Sequence, residues 1–202
     1  MDAPLFSRST VAAEISHDFN EFWRLRFPDC PPLGYELRLA YEDRWLRLHS
    51  LPQSKRLPDT AVERTEILRR QRAIADDVLG VGSRCFMVGY EYSGAQRLPP
   101  SDPVAAFMPP HASPSLSIPA EDPESPTTAV FATVVTWQHA VFDRLLLGIA
   151  RDETRALWIA IESGGVFAPY DGGVDIIFPN EWERDAARSN YQSWLSHRPD
   201  GL

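Results

Sequence analysis

The chain has 202 residues, 44% of them hydrophobic and 24% charged, a composition that excludes global disorder and suits one domain burying roughly 70% of its unfolded surface. There is no long apolar run, and the start MDAPLFSRST lacks the basic and apolar segments of a signal peptide; a cytoplasmic protein is expected, with no membrane partner. A net charge of −8 argues against nucleic-acid binding.

The charge is unevenly spread. Residues 34–72 carry nine Arg/Lys and six Asp/Glu, whereas 93–202 carry seven and fourteen, a local excess of +3 against −7. An acidic half can attract a basic partner over a distance. Cys30 and Cys85 are far apart and form no CxxC, so neither a redox pair nor a metal site is expected of them.

In chain order, the first helix is predicted over 10–26, capped by Thr10, with Val11, Ile15, Phe19, Phe22, Trp23 and Phe27 at spacings of three and four. Pro28, Pro31 and Pro32 end it. Residues 35–40 and 44–49 alternate apolar and polar around Glu42-Asp43, which predicts a two-stranded hairpin. A second helix is expected over 59–79, capped by Asp59 and stopped by Gly80 and Gly82. Residues 85–92 read as a buried strand.

Residues 93–128 hold nine of the eighteen prolines. This stretch predicts a surface insertion without regular structure. A strand over 129–137, a helix over 138–151 that includes Val141 in its apolar face, and strands over 155–162, 166–169 and 174–178 follow. The last helix is predicted from Asn180 to about His197, with Trp182, Ala186, Ala187, Tyr191, Trp194 and Leu195 facing inward. The fold class expected is therefore α/β (α+β): one domain over 1–202, with a mixed or mainly antiparallel sheet of about six strands packed by three to four helices.

Two clusters could carry chemistry. Asp171-Gly172-Gly173 and Asp175, with Glu162 on the neighbouring strand, place three carboxylates near one turn, a pattern suited to a divalent cation or an acid/base pair. Asp-Gly-Gly is equally a hairpin turn whose glycines permit positive φ. Lys55 and Arg56, beside Ser50 and Ser54, could hold an anion, though the loop lacks the glycines of a phosphate-binding turn. His17, His49, His111, His139 and His197 are scattered, and HExxH, GxSxG and GxxxxGK[ST] are missing. No catalytic set, cofactor or metal site is therefore expected. Six tryptophans are expected in the core; an exposed one would mark an interaction surface.

The stretch Ala168-Pro169-Tyr170-Asp171-Gly172-Gly173-Val174-Asp175-Ile176-Ile177, the helix ending Tyr191-Gln192-Ser193-Trp194-Leu195 and the segment Phe131 to Asp152 with Phe142-Asp143-Arg144 resemble bacterial proteins of domain-of-unknown-function family 3885. The resemblance covers the second half, with the Phe22-Trp23 helix and Tyr35–Arg56 in closer relatives. It implies a bacterial origin and a compact α/β domain, and transfers no catalytic residue. Many members carry a more charged turn where this chain has Gly172-Gly173.

Three functions are compatible with these features. One is a non-enzymatic cytoplasmic binding domain, most concretely an immunity-type protein neutralising a basic bacterial toxin or enzyme. Its contact face would use Glu162, Asp171, Asp175, Glu181, Glu183 and Asp185. The alternatives are a small metal-dependent hydrolase built on Glu162, Asp171 and Asp175 with His49 or His139, and a regulatory or scaffold module.

Overall fold

The computed structural model describes residues 8–109, 112–120, 122, 124–138 and 140–196. In chain order the elements are α1 (Arg8–Arg26), α2 (Gly34–Ala40), β1 (Trp45–His49), α3 (Ala61–Leu79), β2 (Arg84–Glu91), β3 (Leu116–Ile118), β4 (Thr128–Thr136), α4 (Asp143–Ala150), β5 (Ala156–Ala160), β6 (Val166–Tyr170), β7 (Gly173–Ile177) and α5 (Glu181–Asn190). The strands form one sheet of seven in the order β1-β7-β6-β5-β2-β4-β3, and every neighbouring pair is antiparallel. The class is α+β, as the element order predicts.

Side chains alternate across a pleated strand, and here both faces are covered. Trp158 on β5, Met87 on β2, Phe167 on β6 and Val174 and Ile176 on β7 pack with Ile74, Leu145 and Leu146 of α3 and α4. Leu157, Ile159, Phe86, Val88, Val166 and Ile177 point the other way and pack with Phe19, Trp23, Leu37 and their neighbours from α1 and α2.

The predicted hairpin over 35–49 is corrected by α2. Leu33, Leu37 and Tyr41 recur every four residues and are buried, while Tyr35 and Leu39 are 57% and 68% exposed. The helical stripe wins because the sheet offers it an apolar surface, and Leu37 and Tyr41 donate their N–H groups to Leu33 and Leu37. β1 then pairs with β7, with Trp45 opposite Ile177 and His49 opposite Gly173.

Several boundaries differ for local reasons. Thr10 lies inside α1 and not at its start. The cap of α3 is Thr60, which forms a reciprocal capping box with Glu63; Asp59 sits one residue outside. Ala140 is left-handed at φ 64, so α4 starts at Asp143 and Val141 is half exposed. The proline-rich stretch contributes β3 and a 3-10 turn over Pro103–Phe107. Val104 in that turn is fully buried. It fills the gap left by Gly89 in the middle of β2, where an added Cβ would lie 2.4 Å from Val104 Cγ1.

Candidate functional site

β7 carries Asp175 between Val174 and Ile176. Those two face α3 and α4, so alternation turns the carboxylate to the α1/α2 side. Arg47 is directly opposite on β1. It donates from Nε to Asp175 Oδ1 and from Nη2 to Oδ2, both at 2.8 Å, and the indole N–H of Trp45 adds a third bond to Oδ1 at 2.9 Å. The Arg47 and Asp175 side chains are only 14% and 9% exposed. Arg47 also lies 4.8 Å from the Tyr170 ring centroid, a cation–π distance.

One turn away, the Arg56 guanidinium pairs with Asp171. Asp171 and Asp175 are both buried, and each is neutralised by an arginine from the basic 34–72 segment. Neither belongs to an exposed acidic contact face, which corrects that expectation for these two residues. The turn glycines act differently from the expectation as well. Gly172 and Gly173 do not have positive φ. A Cβ on Gly173 would lie 2.3 Å from the Leu48 carbonyl, so glycine lets β1 close onto the turn.

The third carboxylate is elsewhere. Glu162 precedes β6 in the β5–β6 turn, whereas Asp171 follows it, so the two lie at opposite ends of that strand. The grouping of Glu162, Asp171 and Asp175 around one turn is therefore not formed. Among the described residues no group of three His, Cys, Asp or Glu side chains is placed to hold a metal ion. Glu162 is exposed, and its backbone carbonyl accepts from Arg26 of α1.

The two cations of the predicted anion site are also engaged. Lys55 bonds Asp59 at 2.8 Å and reaches Glu63, and Arg56 is held by Asp171. Lys55, with backbone N–H groups of Asp59 and Thr60, lowers the Glu63 carboxyl to about 2. In the same loop Ser54 Oγ is 3.1 Å from His49 Nε2, within reach of a nucleophile–base contact. The cavity beside them is about 30 Å3, far below the roughly 300–1,000 Å3 of typical ligand sites. His111, His139 and His197 lie outside the described residues.

Two features remain that can recognise something. On α5, Trp182 is 78% exposed, which corrects its inward placement. The inward stripe is Arg184, Ala187 and Tyr191: Ala187 is buried and Tyr191 packs on the core. Trp182 is roughly 160° around the helix from Arg184 at about 100° per residue. Glu181 and Asp185 beside it have side chains 66% and 63% exposed. Glu183 instead joins the Asn180 cap, accepting its amide at 2.7 Å.

The second feature is a cleft of about 230 Å3 where α2 begins over the sheet, lined by Tyr35, Tyr90, Tyr92, Tyr170, Arg155 and the Arg47–Asp175 pair. Burial pushes the Tyr92 and Tyr170 phenols up to about 12, against the lowering influence of Arg155 and Arg47 respectively. Both are neutral donors at physiological pH. Tyrosine clustering was hidden in the sequence because the four residues come from α2, the end of β2 and β6.

No curated protein and no solved structure matches the chain. Residues 33–199 match the profile of the family described as domain of unknown function DUF3885, which spans α2 to the end of α5 and leaves α1 outside. With the greater part of its length matched, the chain belongs to the DUF3885 family.

Proposed function

We propose that the chain is a protein-binding domain and that its contact surface is the outer face of α5, centred on Trp182. The observation that carries this reading is the 78% exposure of Trp182 on a helix whose other face already packs on the core. A large aromatic ring left in water has an unfavourable hydration cost that a partner would relieve, and tryptophan is the residue most enriched at binding hot spots. Glu181 and Asp185 flank it with exposed carboxylates that share a single cation, Arg184, at 3.8 and 2.6 Å; the trio keeps a net negative charge, so the partner of matching chemistry is basic. A secreted bacterial toxin met in the cytoplasm by an immunity-type protein fits that description. No helix among the described residues is long and apolar enough to cross a membrane.

The test compares the wild-type chain with Trp182→Ala and with the double variant Glu181→Lys/Asp185→Lys. A basic protein retained by the wild type should lose affinity about 30-fold in Trp182→Ala, the size of a hot-spot truncation of roughly 2 kcal/mol. One equivalent of wild type should suppress that protein's enzymatic activity. Equal retention by all three chains would overturn the surface; retention without inhibition would point to a regulatory or scaffolding role.

A further inference from the structure

The cleft beside α2 has a composition that nothing in the α5 reading uses. Its floor is made of Leu157 on β5, Ala156 beside it, and Ala168 and Pro169 on β6. Gly34 lies above it, where an added Cβ would touch the Ala168 Cβ at 3.4 Å. Tyr35 and Tyr92, 57% and 45% exposed, stand at the mouth, and Tyr90 and Tyr92 pair their rings at 6.0 Å. Small residues below and rings around leave a slot for a flat group. At about 230 Å3 it lies below the roughly 300–1,000 Å3 of sites for drug-sized ligands, so it is matched to a single ring.

The charges at the cleft decide what the ring carries. Arg47 is closed by two bonds to Asp175, and Asp171 is closed by Arg56. Arg155 is different. It pairs with Asp152, three residues away, and both side chains are about half exposed at 53% and 47%, the kind of surface pair that contributes little and exchanges readily. The Tyr92 and Tyr170 hydroxyls add neutral donors. The exchangeable polarity of the site is therefore that of a donor, and the buried carboxylates are not available to an ammonium group.

We propose that this cleft binds a small single-ring aromatic carboxylate, with the ring between the tyrosines over Leu157 and Ala168 and the carboxylate on Arg155. The guanidinium fork offers two parallel N–H bonds to such a group. The site is separate from the α5 surface, so either can fail without the other.

Phenylacetate and benzoate, with benzylamine as the cationic control, are titrated into the full chain and followed by amide NMR shifts. Saturable shifts confined to Gly34, Tyr92, Arg155, Leu157 and Ala168 are expected for the acids. Arg155→Gln, a substitution at a half-exposed side chain, should weaken them roughly tenfold or more, the loss of one charge-assisted interaction. Ala168→Leu should block the floor and abolish binding; its melting temperature and the shifts of distant residues report whether it still folds. No saturable shift at the cleft, equal binding by Arg155→Gln, or tighter binding of benzylamine would each overturn the proposal.

Discussion

Asp175 accepts three hydrogen bonds, from Trp45 and twice from Arg47, while almost fully out of water. Two desolvated charges depend on each other, because removing one leaves the other buried without compensation. Asp175→Asn keeps the shape and one acceptor but removes the carboxylate charge against which Arg47 is buried. It should cost about 3–5 kcal/mol, read as a lower urea midpoint with unchanged slope. Asp185→Asn, at a side chain 63% exposed, should stay within about 0.5 kcal/mol. Equal small losses at both sites would show that burial does not set the strength of the Arg47 pair. The sequence displays Asp171 and Asp175 as carboxylates in a turn, but their arginines are 115 and 128 residues away. The β1–β7 register that joins them is non-local, so only the fold reveals that they are neutralised. Trp182 departs from the expected inward placement for a local reason: Arg184 and Ala187 occupy the inward stripe that a tryptophan usually takes.

At the scale of elements, the helices and strands with one dominant period were legible. α3 reads from its apolar stripe and glycine stop, and β5 from its continuous apolar run. Residues 34–40 were not, since Tyr35, Leu37 and Leu39 fit a strand as well as Leu33, Leu37 and Tyr41 fit a helix, and packing against the sheet decides between them. The ordered parts of the proline-rich segment leave no periodic signal in the sequence because its anchor is a single residue. Val104 enters the space over Gly89, and Leu98, Phe107 and Met108 pack against the same core. Gly89→Ala should therefore destabilise by about 1–3 kcal/mol through overpacking. In the background of Val104→Ala, where the clashing Cγ1 is gone, the same substitution should cost much less. A double-mutant cycle by chemical denaturation measures the coupling, and additive losses would show that the segment is not seated there.

Across the whole molecule, the basic 34–72 segment and the acidic second half are not two opposed surfaces. Arg47–Asp175, Arg56–Asp171 and Arg72–Asp143 join them, so the excess of the basic segment is matched within the fold while the second half keeps part of its acidic excess. A fold held by such carboxylates should weaken in acid, and Glu66 gives the clearest case. Arg69, assisted by Arg70 and opposed by desolvation, lowers its carboxyl from 4.5 to about 2. A folded-state value below the unfolded one means that the unfolded chain binds protons first as pH falls. The stabilisation is thus fully present above about pH 4.5 and is lost progressively towards pH 2. Glu66→Gln removes the charge at every pH and leaves the nearly buried Arg70 side chain, 8% exposed, without its carboxylate. The wild type should be more stable than the variant at pH 7, and the gap should narrow steadily below pH 4.5 as Glu66 becomes protonated in the wild type too. Denaturant midpoints of both chains across that range measure it; a gap that stays constant with pH would mean that the arginines act on Glu66 through packing alone.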